Sequence, residues 1–243
     1  MYRSLHSERI IETAERLAAQ VEGRFPGSGL GRVASEAAEV SRRAHGRCAE
    51  IRKGSVALRV AIVVVLALGL AAFGLLFTHV RMTESLWDAE NFVQVVNNAI
   101  GTLVFLGAAV AFLVSLENRW KRGRALEAVG ELRALAHVVD MHQLTKDSYA
   151  AHGADRAAQG PGARPMSPAD LSHYFEFCSE ILSVIGKVGA LYVQALPDPV
   201  ALAAVDELED LCLGISHKVW QKIQLVERPS RAREREASED DGA

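Results

Sequence analysis

The sequence predicts an all-α fold, in which a two-span transmembrane helical hairpin is extended into the cytosol by long helices and followed by a C-terminal antiparallel helical hairpin. Three observations lead to this prediction: two long uncharged apolar runs, apolar residues at helical spacing elsewhere, and basic residues beside the runs. The 243 residues are 49% hydrophobic and include three cysteines. This composition excludes a disordered chain and a disulfide-rich secreted domain.

The two apolar runs are eighteen residues long, cover residues 60–77 and 99–116, and contain no charged side chain. A helix of this length spans about 27 Å, which is close to the hydrocarbon thickness of a bilayer. The alternative is a pair of buried helices, but a chain of this size has too little other apolar material to surround them. We therefore expect two membrane spans, at about 57–79 and 98–117, with the lipid bilayer as a partner.

Basic residues lie on the outer sides of both runs, whereas the segment between the runs is mainly acidic. Because Lys and Arg near span ends stay on the cytoplasmic side, both termini should be cytoplasmic, with a loop of about 81–98 outside. We expect an integral membrane protein, in the inner membrane if the source is bacterial. The basic flank at 42–59 should attract anionic lipid head groups rather than nucleic acid. The flanking residues before the first run are Arg42, Arg43, Arg47, Arg52, Lys53 and Arg59, and those after the second are Arg119, Lys121, Arg122 and Arg124.

The cytosolic segments have helical periodicity. An N-terminal region, 1–31, should hold a helix over 4–21 that ends in a segment rich in Gly and Pro. A second helix should begin near Arg32 and run unbroken into the first span. The second span should continue past Asp140 as one helix, so that the membrane hairpin with its extensions covers 32–148.

A cytosolic helical hairpin is predicted over 168–227, between a flexible linker at 149–167 and a disordered tail at 228–243. Ser167 and Asp198, each followed by a proline, are typical helix caps. The two helices carry apolar residues at alternating steps of three and four, which is typical of a helix-pairing seam. The seam residues are Leu171, Tyr174, Ile181, Ile185, Val188, Val205, Leu208, Ile215 and Val219.

Two questions about packing stay open at this level. The apolar faces of the C-terminal hairpin are too broad to cover one another, so they should pack on the chain's own helices or on another copy. Within the spans, small residues recur at a spacing of four, which permits close helix approach inside the hairpin or in a homo-oligomer. These span-packing residues are Ala67, Ala71, Gly107 and Ala111.

Residues that carry chemistry are sparse. The segment 27–31 is rich in glycine but follows a helix and lacks a Lys-Ser/Thr partner, so it does not match a phosphate-binding loop. His137, Asp140 and His142 do not share one helix face, since His142 lies about 140° from His137. We therefore expect no catalytic residues, no cofactor, no metal site and no nucleic-acid partner, and the protein should not be an enzyme.

A family resemblance rests on the residues that enter and leave the membrane hairpin. The segment Arg42-Arg-Ala-His-Gly-Arg47 precedes the first span, and Ser115-Leu-Glu-Asn-Arg-Trp-Lys121 leaves the second. With the amphipathic stretch 124–142 that follows, this arrangement resembles the two-transmembrane effector family abbreviated SLATT, which is found beside nucleotide-signalling bacterial defence genes. The resemblance covers about 32–145, and the C-terminal hairpin goes beyond the family pattern.

The resemblance implies an effector that self-assembles in the membrane and permeabilises it when a partner, such as a sensor or nucleotide-signalling protein, is triggered. The alternative is a passive membrane anchor whose cytosolic hairpin recruits a partner as a scaffold. The spans carry no charged group, so neither a proton relay nor a coupled transporter is expected.

Overall fold

The protein is all-α in the computed structural model, which describes residues 4–54, 56–81, 89–151 and 166–240. These residues form six helices and no strand, as the sequence predicts. The helices are α1 (Ser7–Arg24), α2 (Gly29–Lys53), α3 (Val56–Arg81), α4 (Ala89–Ala151), α5 (Pro168–Ala195) and α6 (Pro199–Asp240).

The chain divides into two compact units. We call residues 53–123 the hairpin unit, which holds α3 and the first part of α4. Residues 1–52 and 124–243 form the bundle unit, which holds α1, α2, the rest of α4, α5 and α6.

The bundle unit packs on α5, whose buried residues run from Leu171 to Tyr192. One stripe of α5 stays exposed and the other sides are covered by neighbouring helices; the stripe is formed by Glu176, Glu180, Ser183, Lys187 and Gln194. Gly189 shows this packing, because a Cβ added there would lie 2.9 Å from Leu208 of α6 and 4.0 Å from Leu132 of α4. Phe25, at the end of α1, stacks edge-on against Tyr174 with ring centroids 5.6 Å apart. The core therefore includes α1, α4, α5 and α6.

The predicted caps of the C-terminal helices are confirmed. The Ser167 hydroxyl accepts a hydrogen bond of 3.0 Å from the Asp170 backbone N–H, and Pro168 begins α5. The Asp198 carboxylate accepts hydrogen bonds from the backbone N–H groups of Val200 and Ala201, at 3.0 and 3.1 Å. Both side chains satisfy N–H groups that a helix leaves without partners at its N-terminus.

Helices α1 and α2 begin within about three residues of their predicted starts, and larger differences from the prediction occur at three other places. The second helix does not run unbroken into the first span, because Gly54 has φ +70°, a left-handed conformation that ends α2. Helix α4 already begins at Ala89, inside the predicted loop. Helix α6 continues to Asp240, since the Arg, Glu and Ala residues of the expected tail favour helix despite their low hydrophobicity.

The linker predicted at 149–167 lies mostly outside the described residues. Its first residues, up to Ala151, belong to α4, and its last two, Met166 and Ser167, immediately precede α5.

Candidate membrane interface

The hairpin unit contains two antiparallel apolar helices in a defined register. A Cβ added at Gly69 would lie 2.9 Å from Leu106 Cδ1, so α3 and α4 approach closely there. A Cβ added at Gly54 would lie 2.7 Å from Glu117 Oε1 and 3.5 Å from Lys121 Nζ, two side chains one turn apart on the same face of α4. Gly54 precedes Gly69 by 15 residues and Lys121 follows Leu106 by 15 residues, so the Lys121 contact continues the antiparallel alignment of Gly69 with Leu106.

This alignment brings the two apolar runs to the same level. In an antiparallel pair the numbers of facing residues add up to a constant, which is 175 for Gly69 and Leu106. Residue 60 therefore lies opposite residue 115, and residue 77 lies opposite residue 98. The runs 60–77 and 99–116 therefore overlap almost end to end. Together they form one apolar band, about 27 Å long at 1.5 Å per residue.

The apolar band is not covered by the chain. Both helices are long and apolar enough to span a membrane, and none of either apolar window is buried. Val63, Leu103 and Phe105 are 63%, 71% and 79% exposed. Helices of a soluble core are buried, and soluble monomers do not expose apolar surface of this extent. The band is therefore an extended apolar surface that the described residues of the chain leave uncovered.

The small residues predicted to pack the spans are not brought together. Ala67, Ala71, Gly107 and Ala111 are all exposed, and a Cβ added at Gly107 would meet nothing within 4 Å. Ala67 lies two residues, or about 200°, from Gly69, so it is on the opposite side of α3. Packing inside the hairpin uses Gly69 and Leu106 instead, because Leu106 occupies the space that a side chain at position 69 would need.

The cytoplasmic end predicted for the hairpin is strongly basic. The segments 53–59 and 117–123 contain five basic residues and one carboxylate, Glu117. Together these two segments carry a net charge of +4, five positive charges less one negative charge. Glu117 pairs with Lys121 at 2.8 Å, and this ion pair is only 18% and 16% exposed. The five basic residues are Lys53, Arg59, Arg119, Lys121 and Arg122.

Two arginines of the predicted basic flank, Arg42 and Arg43, pair with carboxylates of the same chain. Arg42 pairs with Glu15 at 2.6 Å and with Glu39 at 2.8 Å, which joins α2 to α1. The hydrogen bond from Arg42 and the positive charge of its guanidinium hold the pKa of the Glu39 carboxyl below its usual value. Arg43 pairs with Glu36 at 2.7 Å. These basic residues therefore bind carboxylates of the same chain.

Arg47 forms the best-defined ion pair of the bundle unit. Its guanidinium donates two hydrogen bonds, of 2.9 and 3.0 Å, to both oxygens of Glu131 on α4. The pair is about one-third exposed, and the hydrogen bond to Glu131 raises the pKa of Arg47. Nearby, burial raises the pKa of the Tyr192 hydroxyl to about 12. Two-point pairing of this kind fixes orientation as well as distance, so it sets α2 against α4.

The helix-pairing seam is buried inside the bundle unit. Each of its nine residues, from Leu171 to Val219, is at most 4% exposed. The seam itself is therefore covered by helices of the same chain, whereas Trp220, which lies beside the seam on α6, is 56% exposed. Sequence periodicity identified the seam but not the helices that cover it, because partners far apart in sequence leave no local signal.

One polar pair escaped the sequence analysis. The Ser7 hydroxyl and His45 Nδ1 are 2.7 Å apart beside a cavity of about 310 Å³ that Glu8, Cys48 and Arg52 also line. The two residues are 38 positions apart and match no motif, so no sequence signal could have found them. Across the described ranges, no cluster of three His, Cys, Asp or Glu side chains is arranged to hold a metal ion.

Comparison with known proteins adds no relative: no protein-family model, no curated protein and no solved structure matches this chain.

Proposed function

We propose that the chain is an integral membrane protein that crosses the bilayer twice through the apolar band of the hairpin unit. The observation that carries this proposal is the exposure of two aligned uncharged helices whose apolar windows are not buried by the chain. Lipid is the medium in which such surface is stable, and a helix satisfies its own backbone hydrogen bonds there. The basic residues at 53–59 and 117–123 favour a cytoplasmic position for this end, with both termini in the cytoplasm.

Within the membrane, we propose a non-enzymatic effector that self-assembles and perturbs the bilayer when triggered. The exposed small residues support assembly, because Ala67 and Ala71 lie away from the Gly69–Leu106 contact and leave a smooth surface for another copy. The resemblance to the SLATT family supports the same role, and it suggests a sensor or nucleotide-signalling protein as the trigger.

The chemistry of the band limits the kind of perturbation. It has no charged group, and the Thr102 hydroxyl donates its hydrogen bond to the Asn98 carbonyl of its own helix, at 2.9 Å. A wide water-filled channel needs a polar lining, which these helices do not offer. A narrow hydrophobic gate, or a lesion caused by clustered helices, fits the band better.

The membrane assignment is tested by extraction and labelling. Membranes from cells that express the full chain are washed with alkaline carbonate, and the protein should remain in the pellet. Cysteines introduced at Gln20 and Gln224, both exposed in the bundle unit, should react with an impermeant maleimide only after the membrane is opened. Release by carbonate would refute the membrane assignment, and labelling in intact cells would refute the orientation.

The effector role is tested by dye leakage from liposomes that carry the full chain fused to an inducible oligomeriser. Leakage should appear only on clustering, and Ala67→Leu with Ala71→Leu should reduce it. The matched control is Ala72→Leu with Ala108→Leu, which adds the same side chains at other exposed positions of the two helices. Tight vesicles after clustering is confirmed by crosslinking would refute the effector role.

A passive scaffold is the second candidate, and one observation favours it. Leu213 and Trp220 of α6 are 59% and 56% exposed, and their spacing of seven residues places them on one side of the helix. Exposed apolar side chains of this size are typical of protein-binding surfaces. Exchange of both spans for unrelated apolar helices separates the candidates, because a scaffold would keep its function and an effector would lose leakage activity.

A further inference from the structure

We infer that the basic end of the hairpin unit binds the head groups of anionic phospholipids, through Lys53, Arg59 and Arg119. This inference rests on the proposed membrane location of the hairpin. It differs from the sequence-based expectation, which assigned lipid attraction to the whole basic flank from Arg42 onward.

Only some of the basic residues near the apolar band are available to bind lipid head groups. Arg42, Arg43 and Arg47 are bound to carboxylates of the bundle unit, and Lys121 is bound to Glu117. Among the described residues, no carboxylate lies within ion-pair distance of the three inferred residues. Arg59 donates one hydrogen bond of 3.2 Å, to the Lys53 carbonyl, which leaves most of its five N–H groups for other acceptors.

Arg59 and Arg119 lie beside the end of the apolar band. Arg59 directly precedes the apolar band, and Arg119 follows its last residue by three positions, less than one helical turn. In the antiparallel alignment, residue 59 lies opposite 116 and residue 56 opposite 119, so both arginines are at the same end of the band. This is the depth at which phosphate groups lie beside a helix that spans the hydrocarbon. Both side chains are exposed and long enough to reach them.

The positive charge at this end of the hairpin unit favours anionic lipids. The net charge of +4 at this end attracts lipids with a net negative head group over zwitterionic ones. Arginine also forms paired hydrogen bonds with phosphate oxygens, a geometry that a lone ammonium cannot provide. Trp120, which is 48% exposed next to Arg119, is the type of side chain that prefers the head-group region.

The experiment measures lipid selection by the full chain. The protein is reconstituted into vesicles of phosphatidylcholine and phosphatidylglycerol in equal amounts and extracted in mild detergent. The bound lipids are counted by mass spectrometry. The wild type should be enriched in phosphatidylglycerol, and the enrichment should decline as NaCl in the vesicle buffer is raised, because salt screens charges at the surface.

The test variant is Lys53→Gln, Arg59→Gln and Arg119→Gln. Its enrichment should fall by at least about fivefold, the factor that corresponds to one basic residue near an anionic surface. The matched control removes three exposed arginines of the bundle unit, which should leave the enrichment unchanged. These are Arg9, Arg16 and Arg32.

The outcomes separate this inference from the proposed function. A wild type that resists carbonate but binds both lipids equally overturns the inference and leaves the membrane assignment standing. Equal loss in the test and control variants also overturns it, because general electrostatic attraction would then explain the enrichment. A wild type released by carbonate refutes the membrane assignment itself. If the triple variant fails to insert, Arg59→Gln alone takes its place with Arg32→Gln as its control, and equal enrichment in these two variants overturns the inference.

Discussion

The contact between Gly69 and Leu106 predicts that a larger residue at position 69 weakens the packing of the two helices of the hairpin unit. A Cβ there would lie 2.9 Å from Leu106 Cδ1 and 3.2 Å from Cδ2. Carbon atoms at van der Waals contact are about 3.5–4.0 Å apart, so either the Leu106 side chain must leave its rotamer or the helices must move by about half an ångström. Gly69→Val adds two further methyl groups, and overpacking of this kind costs about 1–3 kcal/mol.

Disulfide exchange measures this effect in the bilayer. Ile62 and Leu113 are opposite each other in the same alignment and are both half-buried, so cysteines introduced there should form a disulfide in a glutathione buffer. The equilibrium constant of that disulfide should fall by about five- to 150-fold in Gly69→Val, the range that corresponds to 1–3 kcal/mol. Gly74→Val is the matched control, because a Cβ at Gly74 meets nothing within 4 Å.

A second change on the partner helix checks the cause. Leu106→Ala removes the atoms that the new side chain would meet, so it should restore much of the disulfide stability in the Gly69→Val background. The two substitutions should therefore be coupled by about 0.5–3 kcal/mol. Equal effects of Gly69→Val and Gly74→Val, or the absence of coupling with Leu106→Ala, would refute the alignment.

Three further predictions concern other parts of the chain. Gly54→Ala should lower the free energy of unfolding measured by thermal denaturation, since a φ of +70° costs an L-residue about 1–2 kcal/mol and the new Cβ would lie 2.7 Å from Glu117. Gly46→Ala, whose new Cβ would lie in open space on α2, should raise the same free energy by about 0.4–1 kcal/mol. Phe175→Ala should lower the free energy of unfolding by about 3–5 kcal/mol in urea titrations followed by circular dichroism, and an equal loss for the half-exposed Trp220→Ala would contradict this packing. Burial raises the pKa values of the three cysteine thiols, so iodoacetamide at pH 8 should modify these cysteines only in denaturant. The free energy of unfolding should decline as the pH rises above about 8.5, because the thiols ionise there in the unfolded chain but not in the folded one. The raised values are about 11 for Cys48, about 12 for Cys178 and about 11 for Cys212.

Features that depend on neighbouring residues were predictable from the sequence. The apolar runs, the caps at Ser167 and Asp198, and the periodicity of α5 each lie within a few turns of one helix, where spacing determines which side chains share a face. The break at Gly54 was missed although its signal is local, because apolar and helix-forming residues on both sides outweighed one glycine. The end of α6 has few apolar residues, which is typical of a disordered tail, but its helix propensity acts independently of burial.

The local pattern of residues is enough to predict that this chain is helical, that two of its segments have the length and apolar composition of bilayer spans, and that one end of those segments is basic. The three-dimensional packing adds that Gly69, and not one of the predicted small-residue positions, receives the facing helix. It also decided that Arg47 is bound to Glu131 while Arg59 has no carboxylate partner among the described residues. The physical reason is distance along the chain: 84 residues separate Arg47 from Glu131, and charge in the sequence does not show which opposite charge the fold will bring within reach.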